Sequence, residues 1–174
     1  MNMIISAVSQ GLLWSILALG LFVSFRILDL ADMTTEGAFP LGAAVAVQAI
    51  TLGANPYIAI IFAIIAGSSA GLITGFLITK LQIPSLLAGI LTMTGLYSIN
   101  LRVMGRANIS LLGKNTIFTV FENMNLPRHF DTITLGLLVV VMIIGLYVIF
   151  FKTEFGQAVI ATGDNEAMAR SLGI

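Results

Sequence analysis

Five long apolar runs, almost free of charge, leave this chain few ways to fold; they cover residues 4–25, 37–52, 57–79, 85–101 and 132–151. A helix crosses the ~30 Å hydrocarbon core with about 20 apolar residues, at ~1.5 Å each. Only 9% of the residues are charged and 58% are hydrophobic. Soluble domains carry about a quarter charged residues. So little charge cannot solvate a surface. The expected fold is therefore all-α, a polytopic transmembrane bundle of about five to six spans whose first partner is the lipid bilayer.

The same composition excludes several functions. A net charge of +0 gives no pull toward nucleic acid. With no Cys there is no disulfide, thiol nucleophile or cysteine metal site. His129 is the single histidine, so no histidine metal cluster forms. Gly113-Lys114-Asn115 is the nearest approach to a phosphate-binding loop. It has Asn108 where the first glycine belongs and Asn115 in place of Ser or Thr. No catalytic residue, metal or cofactor is expected, and any ATP that drives this chain must bind another subunit. The N-terminus has no basic region and no small-residue cleavage site, so the first run reads as a membrane helix of the mature protein.

The second run is short, and the polar segment Asp29, Asp32, Thr34, Thr35, Glu36 precedes it. This predicts a broken crossing: unwound or half-helical first, then a helix with Asp32 or Thr34 near its start. Irregular backbone at membrane depth is stable only within protein or beside water. Residues 53–56 and 82–84 read as turns. Residues 102–131 form a long polar connection in which 117–121 are apolar enough to lie on the bilayer surface. Charge does not set orientation. Arg26, Lys80, Lys152 and Arg170 on one side balance Arg102, Arg106, Lys114 and Arg128 on the other.

Candidate translocation-pathway groups are Gln10, Trp14, Thr34, Thr35, Glu36, Gln48 and Asn100. Ionisable groups at membrane depth are costly and usually face a cavity or a pathway. Asp32, Thr34 and Glu36 serve equally as a helix cap at the water interface. The other groups serve equally as interhelical hydrogen bonds or interfacial anchors. Gly67, Gly71 and Gly75 recur every four residues and fit either a dimer contact or packing within one subunit.

The tail, residues 152–174, is polar. Thr153 is positioned to cap a short helix with Phe155, Ala158 and Val159 on one face, which Thr162-Gly163 is expected to break. Asp164 or Asn165 then caps a second helix ending near Gly173. Two short angled helices suit a groove in a partner, and the alternative is a tail lying on the surface or without fixed structure.

Thr153-x-x-Gly156, then Ala161-Thr162-Gly163-Asp164-Asn165, then Glu166-Ala167-x-Ala169-x-x-x-Gly173 resembles the cytoplasmic coupling loop of ABC importer permeases. The match is to the branched-chain amino acid and ribose type. Leu28-Asp-Leu-Ala-Asp-Met-Thr-Thr-Glu-Gly37 is similar to that family's second-helix motif, and Ile83 to Gly95 to the start of its fourth span. With Gly105-Arg-Ala-Asn-Ile-Ser110, the subgroup resembled is the tryptophan/tyrosine-type bacterial permeases. The resemblance implies a multi-pass bacterial plasma-membrane permease that imports a small solute, with an aromatic amino acid favoured. Its partners would be cytosolic ATPase subunits on residues 152–174, an extracytoplasmic solute-binding protein on residues 102–131, and a second permease subunit. Ile160 stands where many relatives carry Arg. Family permeases continue for about another hundred residues, several further spans, so the chain is expected to be an N-terminal part. Two other readings remain open. One is a membrane-embedded solute-binding subunit, docking through small residues such as Ala59-x-x-x-Ala63. The other is a non-transporting scaffold.

Overall fold

The computed structural model describes residues 2–106, 108–111, 113, 114, 116 and 130–173, and among these no strand occurs. Helix α1 (Asn2–Phe22) runs into a π-helical turn (Val23–Ile27). Then follow α2 (Thr34–Thr51), α3 (Pro56–Thr79), α4 (Ser85–Met104), α5 (Phe130–Lys152), α6 (Glu154–Asp164) and α7 (Glu166–Ser171). The protein is an all-α, polytopic membrane protein. The surface-lying stretch 117–121 and His129 fall outside the described residues.

Four described helices are long and apolar enough to cross a membrane: Met3–Ile27, Pro56–Thr79, Ser85–Met104 and Ile133–Lys152. That is below the five to six spans expected. α2 drops out because Thr34, Thr35, Glu36, Gln48 and Thr51 dilute its 18 residues. Residues 28–33 before it are not helical. Pro40 lies inside α2 without ending it, although it cannot donate to the Glu36 carbonyl one turn back.

The helices form two compact units. One holds α1, its π-turn and α5–α7, and the other holds α2–α4. In the second unit α2 packs on both α3 and α4. Leu41, Ala70 and Leu96 form its core, with Ala38, Val45 and Ala66 against them. Small residues bring the helix backbones together, as suits a bundle that gains no hydrophobic energy from lipid. A Cβ at Gly37 would lie 2.9 Å from the Cα of Met93, and one at Gly42 would lie 3.4 Å from the carbonyl oxygen of Ala63. Ala59 is fully buried. The Ala59-x-x-x-Ala63 face is therefore occupied within the unit. Asn55 caps α3 by accepting the Tyr57 N–H at 3.1 Å, with Pro56 opening the helix.

In the first unit Gly136 of α5 admits Leu12 of α1, where a Cβ would lie 3.2 Å from the Leu12 Cβ. α6 starts beside Lys152, the end of α5, and returns to touch Ile27, the end of the π-turn. α1 and α5 therefore run parallel.

These contacts separate two glycines that look alike in sequence. Gly37→Ala meets backbone, which cannot yield, and should lower stability by about 1–3 kcal/mol. Gly71 has nothing within 4 Å of an added Cβ, so Gly71→Ala should be neutral or stabilising by up to about 1 kcal/mol. Thermal unfolding of the purified variants in one detergent checks the contrast.

Candidate functional site

The tail folds as a corner built on the end of α5. Thr153 caps α6 through a 3.2 Å bond from the Gly156 N–H, while its hydroxyl donates to the Phe150 carbonyl at 2.6 Å. Gln157 Nε2 donates to the Phe151 carbonyl at 2.6 Å. The last carbonyls of a helix have no partner within it, and here the tail supplies them. Gly156 is buried in this corner, and a Cβ there would collide with the Phe150 carbonyl. At the other end of α6, a Cβ on Gly163 would collide with the Ile27 carbonyl and lie 3.1 Å from the Leu28 Cα. The helix thus joins the end of α5 to the π-turn of α1, backbone against backbone at both points.

The expected break at Thr162-Gly163 does not occur. α6 continues to Asp164, since an interior glycine costs only about 1 kcal/mol and the Thr162 hydroxyl bonds back to the Ala158 carbonyl at 2.8 Å. Asn165, rather than Asp164, makes the bend. It ends α6 and caps α7, accepting the Met168 N–H at 3.0 Å. Gly173 follows α7 at a φ of 83°, a left-handed residue of the kind that ends helices. Ala169 is buried and Ala167 exposed, while the side chain of Glu166 lies outside the described residues. Phe155, Met168 and Leu172 are 80%, 61% and 68% exposed, leaving an apolar surface on the tail.

The π-turn comes from Leu28, whose N–H reaches back to the Val23 carbonyl at 3.0 Å, five residues away. Asp29 follows with a φ of 51°, a left-handed conformation that Asp tolerates better than most residues.

A polar node closes the head of α2. Asp32 Oδ1 accepts the Thr34 N–H at 2.8 Å and also the Thr34 hydroxyl. Thr34 Oγ1 lies 2.7 Å from Thr74 Oγ1, which lies 2.9 Å from Thr92 Oγ1. Thr34 gives its hydrogen to Asp32, Thr74 donates to Thr92, and the Thr92 hydroxyl donates back to the Ala88 carbonyl at 3.0 Å. The hydroxyls thus link α2, α3 and α4 in one buried polar cluster. Gly89 makes room on α4, where a Cβ would lie 2.7 Å from the Met33 N and 2.9 Å from Asp32 Oδ1.

The family model for the branched-chain amino acid transport system permease component matches residues 3–174. The chain belongs to this permease family. It is 40% identical over 174 residues to the tyrosine transport system permease protein of Clostridioides difficile (strain R20291), covering 100% of this chain and 56% of the relative. It is 38% identical over 173 residues to an uncharacterized protein of Rickettsia prowazekii (strain Madrid E), covering 99% of this chain and 59% of that protein. It is 32% identical over 128 residues to an autoinducer 2 import system permease protein of Yersinia enterocolitica, 73% of this chain and 34% of the relative. The chain thus spans less than three fifths of the length of the first two, at 56% and 59%. No solved structure matches it. Family and apolar helices together make it a multi-pass protein of the bacterial cell membrane.

The permease's candidate pathway residues scatter. Gln10 and Trp14 are exposed on α1, in the first unit. Thr34, Thr35, Glu36, Gln48 and Asn100 belong to the second, with Thr34 buried, Thr35 and Gln48 half-buried, Glu36 exposed and Asn100 buried. Gly67 faces the Ala38 carbonyl at 4.0 Å, but Gly71 and Gly75 meet nothing within 4 Å. Sequence reasoning missed Thr74, Thr92 and Gly89. Their only signal is spacing, since Thr74 falls on the stripe of Ala59, Ala63, Ala66 and Ala70 that α3 turns to its neighbours.

Removing the middle hydroxyl tests the node. Thr74→Val keeps the shape but removes the buried hydroxyl that Thr34 and Thr92 both contact, and should cost about 1–3 kcal/mol. Thr94→Val, at an exposed hydroxyl that bonds only its own helix, should cost less than about 0.5 kcal/mol. The shift in unfolding midpoint between the two variants is the readout.

Proposed function

We propose that the chain is the membrane-crossing part of an ATP-driven importer that moves a small solute by alternating access. The carrying observation is the corner from Thr153 to Gly173, rigid against two span ends and apolar on its outer side. In this reading a cytosolic ATPase grips Phe155, Met168 and Leu172, and its closure moves α6. The backbone contacts at Gly156 and Gly163 pass that motion to α5 and to the π-turn. A partner coupled in this way must bind two states of the permease with different affinity. A solute-binding protein delivers cargo to residues 102–131 on the opposite face, and a second permease subunit completes the pathway. The name of the C. difficile relative supports an aromatic amino acid as cargo. The embedded solute-binding alternative loses its docking face, because Ala59 and Ala63 are committed to packing within the unit.

α2 crosses the membrane as well in this reading. Parallel α1 and α5 require an odd number of crossings between them if residues 105–129 stay on one side. α3 and α4 alone give an even number, and α2 restores the parity.

Gly163→Val in the assembled importer should lower solute-stimulated ATP hydrolysis about tenfold, a loss of roughly 1.4 kcal/mol of coupling, with basal hydrolysis retained. Unchanged stimulation would remove α6 from the coupling role. The absence of Cys makes topology directly readable. Thr162→Cys should react with an impermeant maleimide only from the cytosolic side, and Asn108→Cys only from outside. Labelling of both from one face contradicts the scheme.

A further inference from the structure

The end of the α2–α4 unit that lies away from Asp32 is cationic. It carries Arg102, Arg106 and Lys114, and no Asp or Glu occurs between residues 37 and 116 to offset them. Its level is that of the bilayer surface, since α3 begins there at Pro56 and α4 ends there at Met104, and both are long and apolar enough to cross a membrane. Arg106 follows at once, after Gly105 turns the chain out of α4 at a φ of 67°. Tyr57 is exposed at the same level, where tyrosine is favoured among lipid headgroups. Two cavities adjoin at this end. The polar one, of about 590 Å³, has Gln48, Thr51 and Arg106 in its wall. Thr51 gives its hydroxyl hydrogen to the Gln48 carbonyl at 2.8 Å, while the Arg106 guanidinium and the Gln48 side-chain amide are donors that an anion can use. The other cavity, of about 530 Å³, is walled mainly by Val45, Ala49, Leu52, Phe62 and Val103. It is a groove that follows α2 from Leu52 down to Val45, a depth of about 10 Å at ~1.5 Å per residue. Leu52 and Phe62 are exposed, so the groove opens on the side where acyl chains lie.

We propose that this end of the unit binds one anionic phospholipid, its phosphate at Arg106 and Gln48 and the upper part of an acyl chain in the apolar groove. The planar guanidinium matches two phosphate oxygens. Arg102 and Lys114 favour a headgroup with net negative charge, whereas a choline or ethanolamine headgroup brings an ammonium into the same positive field. A phosphate without chains fills the polar cavity and leaves the groove empty. Gln48 belongs to α2, Phe62 to α3 and Val103 to α4. One lipid therefore touches all three helices at the end that the Asp32 node does not reach. The site needs neither an ATPase nor a solute, so it stands or falls apart from the importer reading.

Photocrosslinking to lipid tests the site. The intact permease complex, with benzoylphenylalanine replacing either Phe62 in the groove or Ile73 further along the exposed side of α3, is placed in nanodiscs of dioleoyl phosphatidylglycerol and dioleoyl phosphatidylcholine in equal amounts. After illumination, mass spectrometry weighs the lipid adducts. At position 62 the phosphatidylglycerol adduct should exceed the phosphatidylcholine adduct about fivefold, the effect of one cation near a lipid surface. At position 73 the two adducts should be about equal. Arg106→Gln should bring the ratio at position 62 down to that at position 73. Lys80→Gln, at the far end of α3, should leave it unchanged. Excess glycerol 3-phosphate, which has the headgroup chemistry and no acyl chain, should leave it unchanged as well. The site is overturned if position 62 shows no preference, if position 73 shows the same preference, or if the preference survives Arg106→Gln. Loss of the preference in glycerol 3-phosphate overturns it too, because the cavity would then hold a free phosphate and not a lipid.

Discussion

The carboxylate at the head of α2 is the interaction on which the middle of the molecule depends. The chain leaves a helix at Ile27, runs irregularly, and becomes helical again at Thr34. Every N–H and C=O freed there needs a partner, because lipid supplies none. Asp32 supplies one by accepting from Thr34, and the hydroxyl contacts from Thr34 to Thr74 and from Thr74 to Thr92 tie α2 to α3 and α4. The three helices are thus joined at one end by polar bonds and further along by Leu41, Ala70 and Leu96. Gly89 is the condition for this arrangement, since any side chain there would occupy the space of Met33 and Asp32. Apolar packing alone would leave α2 free to slide or rotate on its neighbours. The directional hydrogen bonds fix its register.

The glycines of the tail act in the opposite sense. At Gly156 and Gly163 the backbone of α6 lies directly on other backbone. A side-chain contact can absorb displacement by changing rotamer, but two backbones in contact must move together. The capping bonds of Thr153 and Gln157 hold the same corner from its other side. A helix mounted in this way suits the coupling role proposed for it. The π-turn where it lands contains a five-residue hydrogen bond, a feature often found at functional positions within helices.

Much of this was legible in the residues. Long apolar runs gave the helices, the turn at residues 53–56 marked where α3 begins, and Thr153 and the Asp164-Asn165 pair marked the caps of the tail, because each signal is local. What was not legible depended on neighbours. Thr74 and Thr92 look like ordinary threonines in apolar helices, where such hydroxyls bond back to their own carbonyls. Only the assembled unit brings them together. The spacing of Gly67, Gly71 and Gly75 suggested one packing face. A four-residue repeat drifts from the 3.6-residue helical period, and the face used runs through Ala59, Ala63, Ala66 and Ala70 instead. Thr162-Gly163 looked like a break because glycine weakens isolated helices. The Ile27 carbonyl shows why a glycine stands there: nothing larger fits.

The helix that composition ranks lowest as a membrane span is also the most enclosed in its unit. Along α2 most side chains are buried or half-buried, while α3 and α5 expose large apolar side chains such as Leu72, Ile73, Val141 and Ile149. Hydropathy measures fitness for lipid contact, and a helix wrapped by others has little such contact to satisfy. It is free to carry Thr34, Glu36, Gln48 and Thr51, which a lipid-facing helix would carry at a cost of about 2.5 kcal/mol or more for a charged group at the bilayer centre. A polar pathway requires a helix of this composition. The property that removes α2 from a count of apolar spans is therefore the property that suits it to line a route for solute, and its neighbours supply the hydrophobic exterior that it lacks.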